Sequence, residues 1–140
     1  MPAILKLFSI LGRVLLVLIF LLGGIGQLGD VARMTASMQS HGIPYSGIVV
    51  WGVLALEVGG GIMLMAGLLA RLVALAFAFY TLALALIYHP YWTFAGEAAR
   101  AQHGDFYQHL AITGGMLLIV AFGAGPCSLD ALIFRRNDTA

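Results

Sequence analysis

Four long apolar runs, separated by short polar or chain-breaking segments, constrain this chain more than any other feature. They cover about 7–28, 46–69, 72–89 and 109–124. Gly29-Asp30 closes the first run, and the turn-forming His41-Gly42-Ile43-Pro44 precedes the second. Little besides Arg71 separates the second from the third, Pro90 ends the third, and Gly125-Pro126 closes the fourth. A bilayer hydrocarbon core of roughly 30 Å takes about 20 helical residues to cross, at about 1.5 Å each. The runs match that length to within about one helical turn. Composition agrees: 61% of the 140 residues are hydrophobic, with seven Lys+Arg against six Asp+Glu. A water-soluble domain carries about 25% charged residues, and 9% here cannot cover a wet surface. A soluble enzyme, a secreted disulfide scaffold and a disordered tail are thereby excluded. The sequence predicts an all-α integral membrane protein, one domain over 1–140, folded as a four-transmembrane-helix bundle with outer loops at 29–45 and 90–108.

The charges orient the bundle. Lys6, Arg13, Arg71, Arg135 and Arg136 fall on the side of the termini, Arg33 and Arg100 on the other. By the positive-inside rule both termini are cytoplasmic, as in a multi-pass protein of the bacterial cytoplasmic (inner) membrane. Tyr45, Trp51, Tyr88, Tyr91, Trp92 and Tyr107 gather near the outer boundary, where amphipathic rings settle. Lys6 and the apolar run after it do not read as a cleaved signal, because no small-x-small site follows promptly. The cations are scattered and the net charge is +1, which gives nucleic acid no purchase. The lone Cys127 excludes an internal disulfide or a CxxC pair and reads as a small hydrophobe.

Two charges lie inside the runs, Arg13 and Glu57. A charge at bilayer depth is costly and should face protein or water with a partner. An Arg13–Glu57 interaction, direct or through water, is therefore expected as the polar centre of the bundle. Three readings stay open for it: an ion pair that only fixes packing, a pair that binds a polar head group or relays protons, or an Arg13 that snorkels to the interface. Helical periodicity extends one face through Arg13, Val17, Phe20, Gly24 and Gln27, and another through Val53, Glu57, Gly60, Gly61 and Leu64. Three consecutive glycines, Gly59-Gly60-Gly61, weaken a helix unless close approach repays them. The groove between these faces would suit a flat, polar-headed ligand or tight helix contact.

All four histidines, His41, His89, His103 and His109, fall in the outer half, with His89 and His109 at helix ends that a short bundle could bring together. No HxxxH or ExxH spacing is present, so no metal site is expected, and His109 reads as a helix cap or a ligand contact. The candidate ligand-binding residues are thus Arg13, Gln27, Glu57, Gly60, His89 and His109. Small residues four apart, Ala55/Gly59, Ala74/Ala78, Ala111/Gly115 and Ala121/Gly125, predict close helix packing. No phosphate loop, dinucleotide fingerprint or nucleophile–base motif occurs.

Arg13 with Ile19-Phe20 and Gly24, Glu57-Val58-Gly59-Gly60-Gly61 through Gly67 to Arg71, His89, and Gly114-Gly115 with Gly123 through Ser128-Leu129-Asp130 together resemble the DoxX family. The likeness runs over about 7–130. It implies a four-helix membrane bundle, and for some members a place as a small subunit in thiosulfate:quinone oxidoreductase, terminal-oxidase or other membrane oxidoreductase assemblies. Arg13, Glu57, Arg71 and His89 match polar positions of the family, while Gln27 stands where many relatives carry Lys and His109 where many carry Asn. The resemblance therefore implies a small subunit or partner of a quinone-linked redox system. No motif encodes a cofactor, and the ligand it suggests is a quinone. The alternatives are a non-enzymatic membrane scaffold or assembly factor, or a binder or carrier of a small apolar molecule or lipid. Expected partners are the lipid bilayer and other membrane or redox proteins, or further copies in a homo-oligomer.

Overall fold

The computed structural model describes residues 2–135, and these are nearly all helical with no strand. Helix α1 spans Ala3–Gln27, a short α2 spans Val31–Ser40, and α3 runs Ser46–Ala66. Then come α4 at Ala70–Tyr88, α5 at Gly96–Phe122 and a final α6 at Leu129–Arg135. α1, α3, α4 and α5 are long and apolar enough to cross a membrane. Arg136, which enters the charge asymmetry of the termini, lies outside the described residues.

Each boundary follows from local chemistry. Asp30 caps α2 by accepting the Arg33 N–H at 3.1 Å, which turns the polar connection after α1 into a helix. α3 follows Pro44 and the left-handed Tyr45 (φ 54°). It contains a π-helical turn at Ala55–Gly60, where the weak helix formers of the glycine run meet the buried Glu57. Such a wide turn places one extra residue on the helix face and recurs at functional sites. Gly67 (φ +72°) ends α3 in the left-handed cap conformation. α4 ends where His89 precedes Pro90.

α5 starts at Gly96, well before the apolar run at 109. The segment 90–108, expected as an outer loop, holds a 3-10 turn at Tyr91–Thr93 and the first half of α5. Hydropathy marks only where a helix enters lipid, whereas Ala98, Ala99, Arg100, Ala101 and Gln102 are strong helix formers in water as well. At 27 residues α5 is about 40 Å long, about 10 Å more than the hydrocarbon core, so its polar first part projects beyond it.

The main core joins Val17 and Phe20 of α1, Leu64 of α3, Val73, Ala74 and Phe77 of α4, and Met116 of α5. Phe20 and Phe77 meet with ring centroids 4.8 Å apart. α5 packs chiefly on α4 and returns to α1 where Gly115 faces Leu16. A separate small core, Met38 with Val50 and Leu54, ties α2 to the start of α3. Outward-facing Leu15, Phe79 and Phe122 are two-thirds exposed or more. In water such patches would drive aggregation, and in lipid they are the solvated surface. Of the small-residue pairs only Ala74/Ala78 is buried as a pair, while Ala55 and Gly59 face outward.

Candidate functional site

Arg13 and Glu57 do not pair, contrary to the expectation from their isolation in the apolar runs. Along α1, Arg13 lies eleven residues before Gly24, the residue that faces Glu57, which is about 16 Å of helix. Gly67, at the end of α3, stands beside Arg13, so Glu57, ten residues before it, lies near the level of Gly24, eleven residues after Arg13. The two charges lie at different levels of the bundle and have different partners.

The end of the bundle that carries the N-terminus is a clasp. The chain after α5 folds back under the bundle through Gly123 (φ +79°) and Gly125 (φ +82°). Ser9 donates to the Ala124 carbonyl at 2.9 Å, and Arg13 Nη2 donates to the Cys127 carbonyl at 2.7 Å. Asp130 then accepts the Leu69 N–H at 2.7 Å and the Ala70 N–H at 2.8 Å, capping α4 from 60 residues away, while its own N–H donates to the Gly67 carbonyl. A β-carbon on Gly67 would run into Arg13 and Ser128. Arg13 is buried here as the tie between α1 and the returning chain, with Nη1 left without a partner among the described residues, and it does not line the cavity described next.

The other end is open inside. A cavity of about 640 Å³ lies among α1, α2, α3, α4 and α5 and is lined by Gln27, Glu57, His89 and His109. Four of the six candidates thus meet in one place. Gly60, the remaining one besides Arg13, faces Leu56, Phe77 and Val73 instead and serves α3–α4 packing.

Glu57 is held at the cavity by close helix crossing. A β-carbon on Gly24 would stand 2.8 Å from Glu57 Cβ and 3.1 Å from Glu57 Oε2, so only glycine lets α1 pass this near. The Tyr80 hydroxyl donates to Glu57 Oε1 at 2.6 Å. Among the described residues no donor or acceptor reaches Oε2, which is buried. An unpaired buried carboxyl oxygen costs free energy.

At the end away from the clasp the His89 and His109 rings stack with centroids 4.9 Å apart. His89 Nδ1 donates to Gln102 Oε1 at 2.8 Å and has Asp105 Oδ2 at 3.7 Å; His109 Nδ1 donates to the Asp105 carbonyl at 2.8 Å. Because both Nδ1 atoms face oxygen acceptors, both carry a proton. The projecting first half of α5 supplies all these partners. Among the described residues no three His, Cys, Asp or Glu side chains converge as a metal would require. The walls between the polar ends are apolar: Met34, Met38 and Ile43 from α2 and its turn, Val49 and Val53 from α3, and Leu84 from α4.

Sequence reasoning missed Tyr80 and the contribution of α2. Tyr80 had a signal: Glu57 precedes the turn at residue 68 by eleven residues and Tyr80 follows it by twelve, so an antiparallel hairpin sets them at one depth. α2 had a weaker one in the Asp30 cap and its spaced Val31, Met34 and Met38.

These positions lie mostly within a known family's match. The family model for DoxX covers residues 8–90, from α1 through α4. The chain belongs to the DoxX family. It is 31% identical to "Inner membrane protein YphA" of Escherichia coli (strain K12), over 86% of each chain. It is also 31% identical to "Inner membrane protein YqjF" of the same organism, over 91% of this chain and 92% of that one. No solved structure matches it significantly. The DoxX match includes Arg13, Gln27, Glu57, Tyr80 and His89, whereas His109 lies beyond it. With four spanning helices and inner membrane relatives, this DoxX protein fits a multi-pass inner membrane protein.

Proposed function

We propose that this DoxX protein is a small subunit or partner of a quinone-linked membrane oxidoreductase system, and that the cavity holds the ligand's ring. In this reading both termini are cytoplasmic, so the cavity lies in the outer half of the membrane. The observation that carries the proposal is the Glu57–Tyr80 pair, a polar site at membrane depth with one carboxyl oxygen unpaired, walled by apolar side chains. A ring with polar atoms at opposite edges would place one beside Glu57 and the other toward Gln27 or the histidine stack. Its apolar body would lie against Met34, Met38, Val53 and Leu84. In this reading His89 and His109 would stand toward the outer aqueous side, as the polar rim of the site. The sequence holds no nucleotide fingerprint and no thiolate cluster, so the electron carriers of the system belong to a partner protein.

The test is extraction. The protein is purified from native membranes in mild detergent, and its organic extract is analysed for quinones by mass spectrometry. The expected result is near-stoichiometric quinone in the wild type and at least fivefold less in Glu57→Gln. Wild-type protein that retains no quinone, from cells whose membranes contain it, contradicts the proposal.

A further inference from the structure

We infer that a second pocket, beside the clasp, takes the phosphodiester group of a membrane phospholipid and holds it through Arg71. This site is separate from the cavity at Glu57 and does not depend on what that cavity binds.

The pocket, of about 510 Å³, lies where α4 begins, α5 ends and α6 returns. Arg71 is the second residue of α4 and Phe122 the last of α5, and both line it. α4 has 19 residues, about 28 Å of helix, so it just crosses a hydrocarbon core of roughly 30 Å. Its first turn therefore stands at the hydrocarbon boundary, next to the layer of lipid phosphates.

Three polar side chains line the pocket: Arg71, Ser128 and Asp130. Two of them are already committed. The Ser128 hydroxyl donates to the Gly125 carbonyl at 2.7 Å and accepts the Ala131 N–H at 3.2 Å. The Asp130 oxygens accept the Leu69 and Ala70 amides at 2.7 and 2.8 Å. Arg71 is exposed, and its guanidinium has neither hydrogen bond nor ion pair among the described residues. It lies along the pocket wall: a β-carbon on Gly123, another lining residue, would stand 3.4 Å from Arg71 Nε and 3.8 Å from Nη2. The side-chain capacity left for a ligand is thus cationic and donor-only, which calls for an anion with several acceptor oxygens. Guanidinium and phosphate meet that need through parallel N–H···O bonds.

The apolar surround points to a lipid as the source of the phosphate. Leu69, Leu72 and Phe122 line the same pocket and are 44%, 65% and 79% exposed. A soluble phosphate gains nothing from them, whereas acyl chains are the ordinary neighbours of such side chains at a span's end. Lys6, also exposed, adds positive charge at this end of the bundle without lining the pocket.

Native mass spectrometry of the full-length protein in mild detergent tests the assignment. The probes are phosphatidylglycerol, diacylglycerol with the same chains, and inorganic phosphate at millimolar concentration. Phosphatidylglycerol is expected to form a discrete one-lipid complex, at least fivefold more abundant than that of diacylglycerol, and inorganic phosphate is expected not to displace it. Arg71→Ala is expected to lower the complex at least threefold, while Lys6→Ala leaves it within a factor of two. Arg71→Lys keeps the charge but not the fork; its expected loss of at least twofold covers the case in which Arg71→Ala fails to fold. Diacylglycerol binding as well as phosphatidylglycerol overturns the inference, as does retention of the lipid by both Arg71 variants. Equal losses in Lys6→Ala and Arg71→Ala show diffuse attraction to the positive end rather than a site, and overturn it too. Displacement by inorganic phosphate shows a soluble anion site and overturns the lipid assignment.

Discussion

The two charges buried in this bundle meet opposite fates. Arg13 at the clasp is enclosed by backbone: it ties α1 to the Cys127 carbonyl and presses against Gly67 and Ser128. Glu57, about halfway along α3, is held by one phenol, lines a cavity of about 640 Å³ and keeps its other oxygen buried against Gly24 without a partner. Both are only 4% exposed, so burial alone would rank them as equals. The difference lies in what surrounds them. A charge whose neighbours are main-chain carbonyls and a required glycine holds a fold together. A charge that lines a cavity can recognise a ligand.

Substitutions can break this contrast. Gly67→Ala carries the largest expected effect, because the left-handed backbone disfavours a β-carbon and the space is filled by Arg13 and Ser128. It should cost on the order of 3 kcal/mol, read as a lowered thermal unfolding midpoint in detergent. Asp130→Ala removes the acceptor of two α4 amides and should cost about 2 kcal/mol in the same assay, without changing ligand content per folded protein. Glu57→Gln should do the reverse. It keeps an oxygen for Tyr80 and changes stability by less than about 1 kcal/mol, while ligand retention falls. If Asp130→Ala emptied the cavity as thoroughly as Glu57→Gln, the two ends would be one functional unit and the contrast would fail.

The sequence carried the architecture well and the site in part. Four apolar runs and the charge scarcity are long-range averages, robust to errors of a turn, and they specify spanning helices directly. The face Arg13, Val17, Phe20, Gly24 also proved to be the buried face of α1, because helical periodicity is insensitive to the partner. Depth was harder. Arg13 stands beside Gly67, at the end of α3, and Glu57 lies ten residues before it, a register that hydropathy does not report. The first half of α5 was hidden for a related reason, since a helix in water needs no apolar stripe. Yet it supplies Gln102 and Asp105, which orient the histidine stack. The clasp depends on a contact between residues 60 apart, Asp130 and Ala70, which no local pattern announces.

The separation of the two charges is tested most directly by a double-mutant cycle on stability, with Arg13→Ala, Glu57→Gln and the double variant unfolded under identical detergent conditions. Residues more than about 10 Å apart with no shared partners act additively to within about 0.5 kcal/mol. Additivity within that margin is the result expected for a clasp and a ligand site at different levels of the bundle. A coupling of 1 kcal/mol or more would mean that Arg13 and Glu57 interact after all, and would contradict the assignment of separate roles.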